Sequence, residues 1–206
     1  MTAILHVFAH GNNSAMKLEG KTLEGRFVRL EPLEPRHYVG LKAACEADTE
    51  IWPLYPFDMR GIHFDAWAER TAKNLARGDA IAYAVLRDGE VIGVTVYVAI
   101  DTPSKRVEIG NTYYRPDMRG GVVNPESKFL MLKHAFDSGV RCVQLRVDAL
   151  NPRSRAAVTK LGAHQDGILR QDRITWTGRT RDTVVFSILA EEWPEVRAKL
   201  LARLGY

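Results

Sequence analysis

The chain has 206 residues, which suits one domain with a substantial core. Hydrophobic residues make up 46% and charged residues 26%, the balance of a globular protein; the longest apolar run, Val91–Ile100, is about half of what spans a bilayer. A net charge of +4 from scattered basic residues argues against a dedicated nucleic-acid surface, and two distant cysteines, Cys45 and Cys142, argue against a metal framework and fit a reducing cytoplasm.

Met16, ahead of KLEGKTLEGRFVRL, is a candidate second start, and the N-terminus lacks the basic flank of a signal peptide. Residues 1–20 are read as a mobile N-terminal extension and residues 21–206 as the domain. A strand is expected over Phe27–Leu33, closed by Pro35, then a helix over Arg36–Ala47. The aromatic, proline-interrupted stretch Trp52–Asp58 reads as an ordered loop, and Ile62–Ala76 as a second helix. Strands Ala82–Leu86 and Val91–Ile100 meet at Asp88-Gly89, a hairpin signal. Val107–Tyr114 is the next strand, followed by a glycine-bearing loop and a buried helix over Pro125–Ser138, ended by Gly139. Val143–Ala149 alternates apolar and polar residues, the period of a half-buried strand. A short helix over Pro152–Leu161 stops at Gly162. Ile168–Trp176 and Thr183–Leu189 form a last hairpin across Thr177-Gly178-Arg179, and a helix over Glu191–Leu204 finishes the chain. The pattern predicts one α+β domain.

Chemistry concentrates between Arg106 and Gly162. Asn124-Pro125 and Asn151-Pro152 both read as helix starts after a strand, with Asn capping and Pro at the first helical position. Two helix N-termini at the strand ends of one sheet suit an anionic cofactor, first of all one with a pyrophosphate. The loop Arg119-Gly120-Gly121-Val122-Val123-Asn124 is either an anion nest or a plain turn. Ser154 shares the inward stripe of its helix with Ala157, Val158 and Leu161, while Arg153, Arg155 and Lys160 lie away from it. Its hydroxyl either helps the cap or faces a ligand. Glu108 sits inside a strand on the face of Gly110, Thr112 and Tyr114; it is either a general base beside the space left by Gly110 or one half of an ion pair with Arg106 or an arginine on a neighbouring strand. His134 reads as a core histidine, and the histidines form no metal pattern.

Together these segments resemble the GNAT family of acyl-CoA-dependent N-acetyltransferases, nearest the branch of ribosomal-protein N-terminal-alanine acetyltransferases (RimJ/RimL-like). The likeness covers residues 22–205 and rests on FVRLEPL, DGEVIG, VEIGNTYY, NPESKFLMLKHAF and NPRSRAAVTKLGA. In the family's loop pattern Arg119 matches the first position, Val122 stands where Gly is usual, and Asn124 where Gly or Ala is.

The resemblance implies the GNAT fold: a mixed, mostly antiparallel sheet of about seven strands, flanked by helices and splayed between the strand ending at Tyr114 and Val143–Ala149. It implies acetyl-CoA as cosubstrate and no metal. Tyr113, Tyr114, Arg119, Gly120, Gly121, Val122, Val123, Asn124, Asn151 and Ser154 would hold the cosubstrate. Glu108 would act as general base through water, and Ser154 would stabilise or protonate the leaving thiolate. The partners implied are acetyl-CoA and an amine acceptor, either a peptide N-terminus or a small molecule, with no membrane and no specific nucleic acid; a homodimer is the open alternative for assembly. A second reading keeps the acyl-CoA site without turnover, as a sensor or interaction module.

Overall fold

Local turn chemistry starts the sheet. Between β3 (Ala80–Arg87) and β4 (Glu90–Asp101), Asp88 and Gly89 take positive φ angles of 52° and 83°, a two-residue turn whose twist matches paired strands. The computed structural model describes residues 15–206 and extends this hairpin into an eight-stranded sheet. The other strands are β1 (Leu23–Glu24), β2 (Arg29–Pro32), β5 (Arg106–Tyr114), β6 (Cys142–Asp148), β7 (His164–Ile174) and β8 (Thr180–Leu189). Their order is β1-β2-β3-β4-β5-β6-β8-β7. Among the described residues only β5 and β6 pair in parallel. The two-residue edge strand β1 is the one the sequence pattern misses.

Period-two alternation divides the core between the two faces. Ala80, Ala82 and Ala84 point to α1 (Tyr38–Glu46) and α2 (His63–Ala76), meeting Leu41, Phe64 and Trp67. Tyr83 and Val85 point to the opposite face, covered by α3 (Val123–Asp137) and α5 (Trp193–Leu204). Helix α4 (Pro152–Lys160) follows β6 and adds Val158 to that second layer.

A bulge in β5 changes which residues share a face. Val94 pairs with Tyr113 but Val96 with Gly110, so β5 carries one residue more than β4, and Asn111 adopts φ 49°. Val107 and Ile109 lie in the α3/α5 layer, which turns Glu108 and Gly110 the other way. Beyond the bulge Tyr114 enters the α3/α5 layer, and Thr112 bonds to Lys128 of α3. The expected common face of Glu108, Gly110, Thr112 and Tyr114 is therefore corrected: the extra residue inverts the alternation.

β5 and β6 then part. Their pairing covers Arg106 with Cys142, Val107 with Val143 and Glu108 with Gln144, and stops there. The remaining lengths, to Tyr114 and to Asp148, form the arms of a V. A helix start follows each arm, but the two starts differ. Asn151 caps α4 as expected, its Oδ1 accepting the Ser154 N–H at 2.9 Å. α3 instead begins at Val123 after Val122, so Asn124 lies inside the first turn and caps nothing. Pro125 is tolerated there because the first-turn N–H groups have no helical acceptor in any case.

Of the extension expected over residues 1–20, residues 1–14 lie outside the described residues. The remainder is packed rather than loose: Met16 is buried, the Lys17 N–H donates to the Ser138 carbonyl, and His134 Nε2 bonds the Glu19 carbonyl oxygen. No helix among the described residues is long and apolar enough to cross a membrane.

Glu126 ties α3 to the chain entering β2. Its side chain is fully buried and accepts from the N–H groups of Arg26 at 2.9 Å, Phe27 at 2.7 Å and Val28 at 2.7 Å, and from the Tyr206 hydroxyl. Removing the carboxylate would orphan the Phe27 and Val28 N–H groups and leave the Arg26 N–H only the Tyr206 hydroxyl at 3.0 Å. Glu126→Ala is expected to lose about 3 kcal/mol or more, lowering the Tm by roughly 6–12 °C. Calorimetric melting checks this, and a Tm within a degree or two of the parent would contradict it.

Candidate active site

The V between β5 and β6 opens into a cleft of about 250 Å³. Glu108, Gly110, Thr112 and Tyr114 line it from β5, Arg146 and Asp148 from β6, and Asn151, Arg153 and Ser154 from the start of α4. Arg119, Gly120, Asn124 and Lys128 line it from the loop and α3, and Tyr55 from the loop after α1. Of the residues singled out by sequence, the cleft gathers Glu108, Tyr114, Arg119, Gly120, Asn124, Asn151 and Ser154. It does not gather Tyr113, Gly121, Val122 or Val123. Tyr113 is fully buried on the α1/α2 side, stacked on Trp52 with its hydroxyl donating to the Ala44 carbonyl at 2.7 Å. Val123 packs into the α3/α5 layer, and Arg153, expected to lie away from the stripe, lines the cleft.

The wall at the helix starts presents open backbone donors. Gly120 takes φ 82°, and a Cβ added at Gly120 or Gly121 would meet nothing within 4 Å. Among the described residues the N–H groups of Gly120, Gly121 and Val122 have no hydrogen-bond acceptor. The first-turn N–H groups of α3 point out of the same end of that helix. These features fit a pyrophosphate held by backbone. Arg119 does not add a free charge: its guanidinium donates to the Tyr114 carbonyl at 2.8 Å and to the Asp48 carboxylate. On α4 the cap is Asn151, which leaves the Ser154 hydroxyl without a partner among the described residues.

The opposite wall, on the α1/α2 side of the sheet, carries charged side chains. The Glu108 carboxylate lies 3.5 Å from Arg146 Nε, and a Cβ on Gly110 would stand 2.8 Å from Glu108 Oε1, so glycine leaves the carboxylate its room. The neighbouring-strand arginine is the partner, while Arg106 pairs with Asp101. Burial pushes the Glu108 carboxyl above its ordinary range, against the pull of Arg146, Arg173 and Arg181. Over this wall Trp176 Nε1–H donates to the Trp52 carbonyl at 2.9 Å, tying the last hairpin to the aromatic loop. No group of His, Cys, Asp and Glu among the described residues could hold a metal ion.

The family described as an acetyltransferase (GNAT) domain matches residues 28–164. The chain belongs to the GNAT acetyltransferase family. A GCN5-related N-acetyltransferase from Brucella melitensis is 31% identical with a TM-score of 0.84, covering 93% of this chain and 90% of that one. A GNAT-family protein from Chromobacterium violaceum is 32% identical with a TM-score of 0.83, covering 94% and 98%. Mycobacterium smegmatis RimJ, solved with CoA-disulfide, shares the fold at 20% identity with a TM-score of 0.78, covering 90% and 95%. No curated protein matches the chain. This chain is an acyltransferase with the GNAT fold, a fold that takes its acyl group from acetyl-CoA.

Lys128 of this GNAT enzyme is a cleft residue that the sequence reading passed over. It lies on the inward stripe of α3, four residues before Leu132 and seven before Ala135, a stripe that reads as apolar. A lysine at such a position is the signal that was available. Its Nζ donates to Thr112 Oγ1 at 2.6 Å and to Thr95 Oγ1 at 3.2 Å, and no carboxylate accompanies it. Burial alone pushes its amine down to about 7. In the unfolded chain the amine titrates near 10.4, so unfolding takes up a proton throughout the interval between. The stability linked to this group is fully present above the unfolded value and is lost as the pH falls toward 7. Urea unfolding of the parent should therefore show stability rising from pH 7 to pH 9 by about 1–2 kcal/mol more than in Lys128→Met. The same pH dependence in both proteins would refute it.

Proposed function

We propose that this GNAT enzyme transfers the acetyl group of acetyl-CoA to a primary amine, in a ternary complex and by direct attack. The acceptor is a peptide N-terminus or a small molecule, and the two free thiols, Cys45 and Cys142, suit work in a reducing cytoplasm. The observation that carries the proposal is the place of Glu108. It is the last β5 residue paired with β6, it lines the cleft, and it faces away from the helix starts that suit the anion. An amine reaching Glu108 from the α1/α2 side meets an acyl group delivered from the α3/α4 side, in the gap between two strands.

Acetyl-CoA supplies the activated acyl group when bound. The residues suited to hold it are Gly120, Gly121, Val122 and Asn124 at the phosphates, with Tyr114 and Asn151 along the arm. An amine of pKa about 8–10 arrives protonated, so Glu108 takes its proton, through water. A carboxyl raised by burial is a better base than an ordinary one, and the neighbouring arginines oppose that rise. Ser154, free of the cap and lining the cleft, donates from its hydroxyl to the leaving thiolate in this reading. Backbone N–H groups of β5 beyond Glu108, which have no β6 partner, suit the carbonyl oxygen. Titration calorimetry with CoA, followed by thiol release from acetyl-CoA across a panel of amines, tests the whole reading. No CoA binding at millimolar concentration would end it.

Glu108→Gln should lower kcat by roughly 10²–10⁴-fold with CoA affinity little changed. The acidic limb of the parent's pH–rate profile should lie above the ordinary carboxylate range, because protonation of a raised carboxyl begins at higher pH. Arg146→Gln removes a charge that lowers Glu108, so that limb should move to still higher pH. A folded Glu108→Gln variant with parental turnover would place the base elsewhere.

Cap and catalyst separate at α4. Because Asn151 Oδ1 carries the cap, Asn151→Ala should cost about 0.5–2 kcal/mol of stability. Ser154→Ala should leave the Tm nearly unchanged and slow single-turnover acyl transfer. A destabilised but fully active Ser154→Ala would return this hydroxyl to a structural role.

A further inference from the structure

The acceptor wall holds more positive charge than proton abstraction requires. Arg146, Arg173 and Arg181 line the cleft on the side of Glu108. Arg181 is the most deeply set: its side chain is 6% exposed, and Nε lies 3.9 Å from Asp148 Oδ2, beyond hydrogen-bond reach. Asp148 already accepts from Arg179 and from the Leu150 N–H. Asp172 accepts from Arg173 at 3.1 Å and from the Thr183 hydroxyl at 2.8 Å. The Nε groups of both Arg181 and Arg146 are buried with no hydrogen-bond acceptor. Buried guanidinium donors left unmade are costly, by more than a neutral group would be. Among the described residues neither guanidinium makes a hydrogen bond within the protein, Arg146 meets Glu108 only at 3.5 Å, and both residues line the cleft, where an anion can reach them.

The charge around the cleft agrees. Its lining includes Glu108 and Asp148 on the acidic side, against Arg119, Lys128, Arg146, Arg153, Arg173 and Arg181. Arg119 is neutralised by Asp48, and Arg153 stands on α4 at the anion-binding wall. What remains unbalanced is the set around Glu108. Burial and the adjacent Arg173 hold the Arg181 guanidinium below its ordinary value, a penalty that an incoming anion relieves.

The geometry points to an acceptor that brings its own carboxylate close to its amine: a free amino acid, with its amino group at Glu108 and its carboxylate between Arg181 and Arg146. A planar carboxylate offers two oxygens to guanidinium N–H groups, which suits arginine better than lysine. In an α-amino acid the two groups are attached to one carbon, which suits a carboxylate and guanidinium groups that line one cleft from neighbouring strands. A peptide N-terminus carries an amide where this wall calls for an anion. Trp176 and Arg179 tie the last hairpin, which carries Arg173 and Arg181 on its strands, to the aromatic loop through the Trp52 and Pro53 carbonyls. This assignment rests on the proposed acetyl transfer and adds the class of amine to it.

The test pairs each of the common amino acids with its own carboxamide and with a dipeptide beginning in the same residue. Thiol release from acetyl-CoA gives kcat/KM, and calorimetry on the CoA-bound protein gives binding without turnover. The best amino acid should exceed its carboxamide by on the order of 10–10³-fold in kcat/KM, and Arg181→Gln should bring the acid down to the level of the amide. If carboxamides or dipeptides serve as well as acids, acetyl transfer stands and the carboxylate site falls. If acids bind the parent but not Arg181→Gln, and no thiol is released, the carboxylate site stands and the transfer reading falls. If no acid binds, the carboxylate site falls. Should Arg181→Gln fail to fold, the acid-against-amide comparison on the unaltered protein still decides, since equal affinity for both would overturn the assignment.

Discussion

The constraint on which the site depends is the failure of two parallel strands to stay together. β5 and β6 share three residue pairs and then separate after Glu108 and Gln144. Backbone groups on the inner edges of both arms lose their ladder partners, and buried backbone donors and acceptors do not stay unpaired without cost. The fold tolerates this because the gap opens into a cleft where water or a ligand can satisfy them. Both helix starts that flank the gap are placed by it: α3 follows the β5 arm through the glycine loop, and α4 follows the β6 arm directly. A sheet that closed fully between β5 and β6 would have neither the cleft nor the two converging helix ends.

The gap also joins the two faces of the sheet, which the core keeps apart everywhere else. On one side lie backbone donors, the free Ser154 hydroxyl and Lys128; on the other lie Glu108 and the arginines. The bulge at Asn111 contributes to this division. It sends Thr112 to the α3 side, where its hydroxyl meets Lys128 and its carbonyl accepts from the Tyr55 hydroxyl. Tyr55 comes from the aromatic loop beyond α1, so one residue of β5 touches an element from each layer. Position along the chain alone would have kept Thr112 beside Glu108.

That bulge marks the limit of what the sequence could tell. Features with strong local chemistry were legible: the Asp88-Gly89 turn, the alternation of β6, the Asn151 cap and the helix stop at Gly162. The Asn-x-x-Ser run also carried the family resemblance. Asn111 was not legible, because nothing in VEIGNTYY breaks the period and a bulge follows from pairing across strands. Asn124 looked like Asn151 in sequence, yet the loop turns into helix two residues early, at Val122, and leaves no capping role for it. The arginines were legible one by one but not as a cluster. Arg146 lies on β6, Arg173 on β7 and Arg181 on β8, and only the register that sets Arg173 against Arg181 brings the last two together. Glu108 was singled out as a strand carboxylate; its company was not.

The order β6-β8-β7 explains why that company exists. β8 lies antiparallel to β6, with Asp148 opposite Thr183, so the residues just before Thr183 run past the open end of the V. Arg181 therefore reaches the cleft from a strand that does not border the gap. β7 pairs on the far side of β8 and adds Arg173 at the same level. The turn joining them carries Trp176 and Arg179 over to the aromatic loop. One hairpin thus provides two of the cleft's arginines and a tie to the aromatic loop, while the splayed strands provide Glu108 and the gap itself. On the proposed reading, changes confined to this hairpin would alter which amine fits, whereas the loop after α1 reaches both walls, since its Asp48 holds Arg119 beside the glycine loop. On that reading acceptor choice and cosubstrate binding belong to two walls of one cleft, which meet where β5 and β6 come apart.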